Sequence, residues 1–220
     1  MKELSNEEKK VRLEKYLVLY GNKYPGRIET YIRRLINEVP YSDVMRQIYY
    51  ALDFFEEQEN PYIHFANLVE NKFSIEQNIC EVGCGCYPAL AIELAKRQKK
   101  GSITAIDPYL VFTEKEKLKL IRDSFLNYDL SNIDLFIGMA PCNATIDLID
   151  TSFDNQSNLI LSPCDCAHFP QWYEPGLDYV NEWYTYVYDY MKQRINQGTI
   201  EIDYLKNETN YEYPIYTYKK

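Results

Sequence analysis

Between residues 78 and 107 an apolar run, a glycine bend, a helix-like stretch and a second apolar run follow one another, and this order constrains the fold more than any other part of the chain. Asn78-Ile79-Cys80-Glu81-Val82 is short, partly β-branched and bounded by polar residues, the pattern of a buried strand. Gly83-Cys84-Gly85-Cys86 supplies a turn, and Pro88 suits the first turn of a helix, where a missing N–H costs nothing. The stretch 89–100 keeps Leu90, Ala91, Leu94 and Ala95 on one face. It ends in Lys96, Arg97, Lys99 and Lys100, whose charge suits a helix C-terminus, with Gly101 as the stop. Ser102-Ile103-Thr104-Ala105-Ile106 then reads as a second strand closed by Asp107. A bend of this kind aims backbone N–H groups at a nucleotide-like ligand, and an acid closing the next strand can hold its ribose. The alternative is a purely structural strand-to-helix turn; the surrounding pattern favours the ligand loop.

Glu81-x-Gly83-x-Gly85 with Asp107 beyond it resembles the S-adenosylmethionine-binding motifs of class I methyltransferases. A dinucleotide site more often needs a third glycine, where this chain has Tyr87-Pro88. The spacing Gly-x-Gly-x-x-Pro, with Ile106-Asp107-Pro108 further on, is also similar to nicotianamine synthases, which transfer the aminocarboxypropyl group of the same cofactor. The resemblance covers roughly residues 75–220, and its specific motifs fall in the first third of that span. It implies an α/β fold: a doubly wound, mostly parallel, seven-stranded Rossmann-like sheet with a C-terminal antiparallel strand pair. It also implies S-adenosylmethionine as cofactor. Glu81 would steady the methionine end, Gly83, Cys84 and Gly85 would give close backbone approach, and Asp107 would bind both ribose hydroxyls, with Pro108 counted among the cofactor-binding residues. Asp123 would reach the adenine and Met139 would border the site from the fourth strand.

At 220 residues with 46% hydrophobic and 26% charged content, the chain has the makings of one globular domain with an appendage. Its net charge of −9 opposes a nucleic-acid substrate, which needs a cationic surface. No apolar run approaches the length of a membrane span, and Met1-Lys2-Glu3-Leu4-Ser5 lacks a signal core, so a cytoplasmic location is expected. Many of the 22 tyrosines fall after residue 170, which suits amphipathic packing or a stacked, flat ligand.

Residues 1–74 read as a helical region, flank or lid, and 75–220 as the cofactor-binding domain. Four helices are expected in the first part. Ser5-x-x-Glu8 caps one, 27–39 forms a second, Ser42 can cap a third, and Asn60-Pro61 starts a fourth that carries Ile63, Ala66, Leu68 and Val69. From residue 75 strands alternate with helices. The segment after Thr113-x-x-Glu116 reads either as a helix or, slightly preferred, as a third strand at 117–123 ending in Asp123. Strands follow at 133–138 and 158–161, with a helix at 143–149. A long helix at 177–196 is expected to turn Tyr179, Val180, Trp183, Val187 and Tyr190 inward. The β-prone runs 199–205 and 211–218, separated by Lys206-Asn207-Glu208-Thr209-Asn210, read as the closing antiparallel pair.

Five of the six cysteines follow strand ends: Cys84 and Cys86, Cys142, and Cys164 and Cys166, with His168 two residues on. Neighbouring strands would let these thiols approach one another. Cys-x-Cys and Cys-x-Cys-x-His are not the usual zinc-knuckle spacing, so no metal is assigned, and buried apolar packing is the reading adopted. A disulfide framework is not expected in a reducing compartment. The loop Ala140-Pro141-Cys142-Asn143 lacks the leading polar group and the aromatic of nucleobase amino-methyltransferases. Asp165 and His168 are the candidate catalytic groups, and Tyr87 is a third base candidate. The function expected is S-adenosylmethionine-dependent methylation of a small molecule, with no nucleic acid or membrane partner. Aminocarboxypropyl transfer and cofactor binding without turnover are the alternatives.

Overall fold

The computed structural model describes residues 60–85, 87–110, 117–206 and 212–220. The three helices expected before residue 60, Cys86, the capping box at Thr113 and Glu116, and the turn at 207–210 lie outside the described residues. The fourth expected helix is α1, Pro61–Lys72, which buries Tyr62, Phe65, Ala66 and Val69. It is followed by β1 (Asn78–Val82), α2 (Ala89–Arg97), β2 (Ser102–Ile106) and β3 (Leu118–Ile121). Then come β4 (Leu135–Met139), α3 (Thr145–Asp154), β5 (Asn158–Ser162), α4 (Tyr179–Arg194), β6 (Thr199–Lys206) and β7 (Glu212–Lys219).

The seven strands form one sheet in the order β3-β2-β1-β4-β5-β7-β6. The first five run parallel, while β7 lies antiparallel to both β5 and β6. This is the doubly wound, mostly parallel seven-stranded sheet with a C-terminal antiparallel pair that the resemblance implied. The chain runs outward from β1 to β3, then returns to place β4 on the other side of β1. A crevice therefore opens at the carboxyl ends of β1 and β4, where open α/β sheets bind ligands.

Alternation along the strands divides the core. Cys80, Val82, Phe136, Leu159 and Leu161 join Leu148 and Ile149 of α3 and Trp183, Val187 and Met191 of α4 in one buried cluster. The intervening positions, Ile79 and Glu81, face the other side, where Glu81 touches α2. Helix α2 buries Ala89 through Ala95 without a break, so it carries no solvent face until Lys96. Helix α1 lies beside it, joined by Arg97 to Asn67 and Glu70, and Lys72 at its end pairs with Glu201 and Asp203 of β6.

Several boundaries differ from the sequence reading. The segment left open at 117–123 is a strand, Leu118–Ile121, held parallel to β2. Strand β4 starts at Leu135; Asp134 before it exchanges backbone bonds with Asn78 and Asn158, and its carboxylate also accepts the Asn78 N–H. Helix α2 ends at Arg97 instead of residue 100: Gln98 leaves helical backbone, and its amide group donates to the carbonyls of Ile75 and Gln77. Pro88 stands at the N-cap, its carbonyl accepting the Ile92 N–H. The helix expected at 143–149 runs from Thr145 to Asp154, preceded by a 3₁₀ turn, Cys142–Ala144, that the positive φ of Cys142 sets apart. In α4 Tyr179 is exposed, and Tyr184 and Met191 are buried with Trp183 and Val187.

Candidate functional site

The glycine bend is built by its neighbours. Gly83 has φ +72° and donates its N–H to the Ile106 carbonyl at the end of β2. A Cβ at this position would lie 2.7 Å from Cα of Pro141, so only glycine lets the loop after β4 approach. Gly85 has φ +69°, and its N–H is donated to Oδ2 of Asp107 at 2.8 Å. Oδ1 of the same carboxylate accepts the Tyr109 N–H at 2.6 Å. Asp107, at 8% exposure, is thus aimed back into the bend. An ionised carboxylate offers about four lone-pair sites, so two amides leave capacity for a pair of ribose hydroxyls.

Glu81 is buried, and its Oε2 accepts the Ala91 N–H at 2.8 Å, in the first turn of α2. Burial pushes its carboxyl up to about 8; the Ala91 amide works against this and the nearby Asp107 charge adds to it. Cys84 is buried as well, and burial raises its thiol well above the usual range, so it is packing in the bend and not a nucleophile. Burial raises the Tyr87 phenol too, which disfavours the phenolate that a base would need.

Pro108 lies on the exposed turn that follows β2, beside exposed Tyr109. Met139, half-buried, closes β4 next to Ser162 of β5. Asp123 is turned to its own loop: its carboxylate accepts from the Ser124 amide and from Asn127, with the Tyr128 hydroxyl at 3.4 Å. These bonds hold the 3₁₀ turn Phe125–Asn127.

A second constellation stands at the ends of β4 and β5. Ligand atoms of Cys142, Cys164, Cys166 and His168 all lie within 4.8 Å of one another. Cys164 and Cys166 are joined as a disulfide, which corrects the expectation of none. Cys166 Sγ lies 3.7 Å from Cys142 Sγ and 3.0 Å from His168 Nε2. Cys142 and Cys166 are exposed, so apolar packing describes Cys80, Cys84 and Cys164 but not these two. Burial lowers the His168 pKa, keeping its imidazole neutral at physiological pH. Asp165 is exposed on the turn between the two bonded cysteines. Two contacts invisible to sequence patterning fix these loops. Trp183 of α4 donates its indole N–H to the Cys164 carbonyl, and the Thr145 hydroxyl donates to the Cys142 carbonyl.

No family model matches the sequence, and no curated protein matches it. Among solved structures the chain is similar to a precorrin-6y C5,15-methyltransferase from Geobacter metallireducens, with TM-score 0.47 and 13% identity over 71% of this chain and 89% of that one. It is similar to magnesium protoporphyrin IX methyltransferase from Synechocystis with bound S-adenosylmethionine, with TM-score 0.47 and 12% identity over 100% of both chains. Human N-acetylserotonin methyltransferase in complex with the same compound gives TM-score 0.46 and 14% identity over 95% of this chain and 70% of that one. The fold assignment rests on the strand order and pairing described above.

Proposed function

We propose that this chain is an S-adenosylmethionine-dependent methyltransferase acting on a small molecule. The observation that carries the reading is the Gly85 N–H donated to Asp107 across the mouth of β1 and β2. It brings two left-handed glycines, a helix start and a buried carboxylate together at the strand ends where open α/β sheets bind ligands. Asp107 would accept from the ribose hydroxyls, and the bend would lie against the methionine portion. Asp123 and Met139 border the cofactor in this proposal.

Methyl transfer is an in-line displacement at a sulfonium carbon, so alignment of donor and acceptor supplies most of what the protein contributes, up to about 7–11 kcal/mol. A base is needed only when the acceptor holds its proton at neutral pH. Asp165 and His168, on the loop after β5, are the groups proposed to face the acceptor. The net charge of −9 supports a small acceptor over a nucleic acid.

Calorimetry with S-adenosylmethionine, S-adenosylhomocysteine and NAD tests the cofactor. The first two should bind and NAD should not, and Asp107→Ala should abolish binding. Binding of NAD alone would overturn the reading. Turnover with candidate acceptors should release S-adenosylhomocysteine, whereas methylthioadenosine would identify aminocarboxypropyl transfer instead.

A further inference from the structure

We propose that the reduced protein holds one thiophilic divalent cation, zinc, on Cys142, Cys164, Cys166 and His168. Three thiolates and an imidazole are a recognised zinc donor set, and no single segment supplies them all. The sequence offers Cys-x-Cys-x-His in one loop, which is one sulfur short of a four-ligand site. The fold adds that sulfur, because β4 pairs with β5 and brings Cys142 alongside.

The distances suit the ion. Zinc–sulfur bonds of about 2.3 Å in a tetrahedron put neighbouring sulfurs about 3.8 Å apart. Cys142 and Cys166 stand at 3.7 Å, and all four donor atoms fall within 4.8 Å. Small outward shifts of His168 Nε2, now 3.0 Å from Cys166 Sγ, and of Cys164 complete the site. The carbonyls behind two of the ligands are held by Trp183 and Thr145, so the backbone that presents the sulfurs is fixed before the metal arrives. Left-handed backbone at Ala140, Cys142 and Ala167, none of them glycine, bends both loops around the cluster.

The disulfide and the metal are alternative states of the same sulfurs. A dithiol reductant breaks the Cys164–Cys166 bond, giving each sulfur one electron and one proton while closing its own disulfide. Zinc binding then displaces the protons of the three thiols to solvent as the Zn–S bonds form. Four protein ligands fill the tetrahedron and leave no position for water, so the ion braces the two loops and does not activate a nucleophile. Pro141, next to Cys142, is also the residue that packs over Gly83, so the braced wall adjoins the proposed cofactor bend. With His168 on the metal, Asp165 remains as the acceptor-facing group.

The inference does not depend on the cofactor assignment, and its test reads metal alone. The full chain, purified under a dithiol and freed of loosely held ions, should bind about one zinc per molecule. Cobalt in its place should show sulfur-to-metal charge transfer and the strong visible bands of a tetrahedral ion. Cys142→Ser, at an exposed position, should weaken zinc by at least about 100-fold. Glu174→Gln, exposed and outside the donor set, should leave affinity unchanged. The proposal fails if the reduced chain binds no zinc, if cobalt shows no sulfur charge transfer, or if Cys142→Ser binds as tightly as the parent. A Cys164–Cys166 bond that survives the dithiol overturns it as well.

Discussion

Glu81, near the end of β1, and Gly83, in the bend that follows, answer to different physics. The carboxyl of an unfolded Glu81 titrates near 4.5, and burial moves the folded one to about 8. Between those values the folded chain keeps a proton that the unfolded chain has released, so stability falls as pH rises through that window and levels off above it. Glu81→Gln keeps an acceptor for the Ala91 N–H and has no proton to lose. Thermal melts across the window should therefore show a shallower decline for the variant than for the parent. Equal declines would mean that Glu81 is ionised in the folded protein. Gly83→Ala meets a different obstacle: its φ of +72° costs a non-glycine residue about 1–2 kcal/mol, before the contact with Pro141 is counted. Urea denaturation should register that loss, and S-adenosylmethionine binding should weaken with it.

Helix α4 is the longest described element, and it reaches the site through the Trp183 indole and through ring contacts of Trp183 and Tyr186 with Phe169. Trp183 is fully buried and donates to the Cys164 carbonyl at 3.1 Å. Trp183→Phe removes the donor and leaves the carbonyl without that bond, at a cost of about 1–3 kcal/mol. Denaturant titration should show the loss, and reduced zinc affinity should accompany it, since the loop that presents Cys164 would be released. Amphipathic spacing was enough to find α1 and α4, because a helix that buries one face must repeat its apolar residues at helical intervals. It failed at the ends. Gln98 stopped α2 through side-chain bonds to carbonyls some twenty residues earlier in the chain, and exposed Tyr179 lies just before Val180, where α4 begins to pack against the core.

The molecule as a whole is acidic, with a net charge of −9, and among the described residues no helix is long and apolar enough to cross a membrane. Phosphate binding requires cations to displace condensed counterions, so single-stranded RNA should not be retained at physiological salt. A filter-binding titration checks this, and saturable retention would redirect the search for the acceptor. Sheet and site are joined through the strand order. With β1 flanked by β2 and β4, the acid after β2, the bend after β1 and the proline after β4 converge at one edge. Pairing of β4 with β5 then gathers the sulfur cluster beside them.

The glycine bend, its acid and the alternation of strands with helices were readable from the residues, because backbone freedom at Gly83 and Gly85 and the apolar repeat of each segment are local properties. The antiparallel closing pair was readable for the same reason. The cysteine cluster was readable only in part: the residues placed these thiols at neighbouring strand ends, but not which of them converge. Its ligands come from two loops 22 residues apart, at Cys142 and Cys164, and each loop alone has the wrong spacing for a metal. Only the pairing of β4 with β5 brings those loops into contact, since hydrogen bonding between strands, and not sequence separation, sets which chain ends share an edge of the sheet.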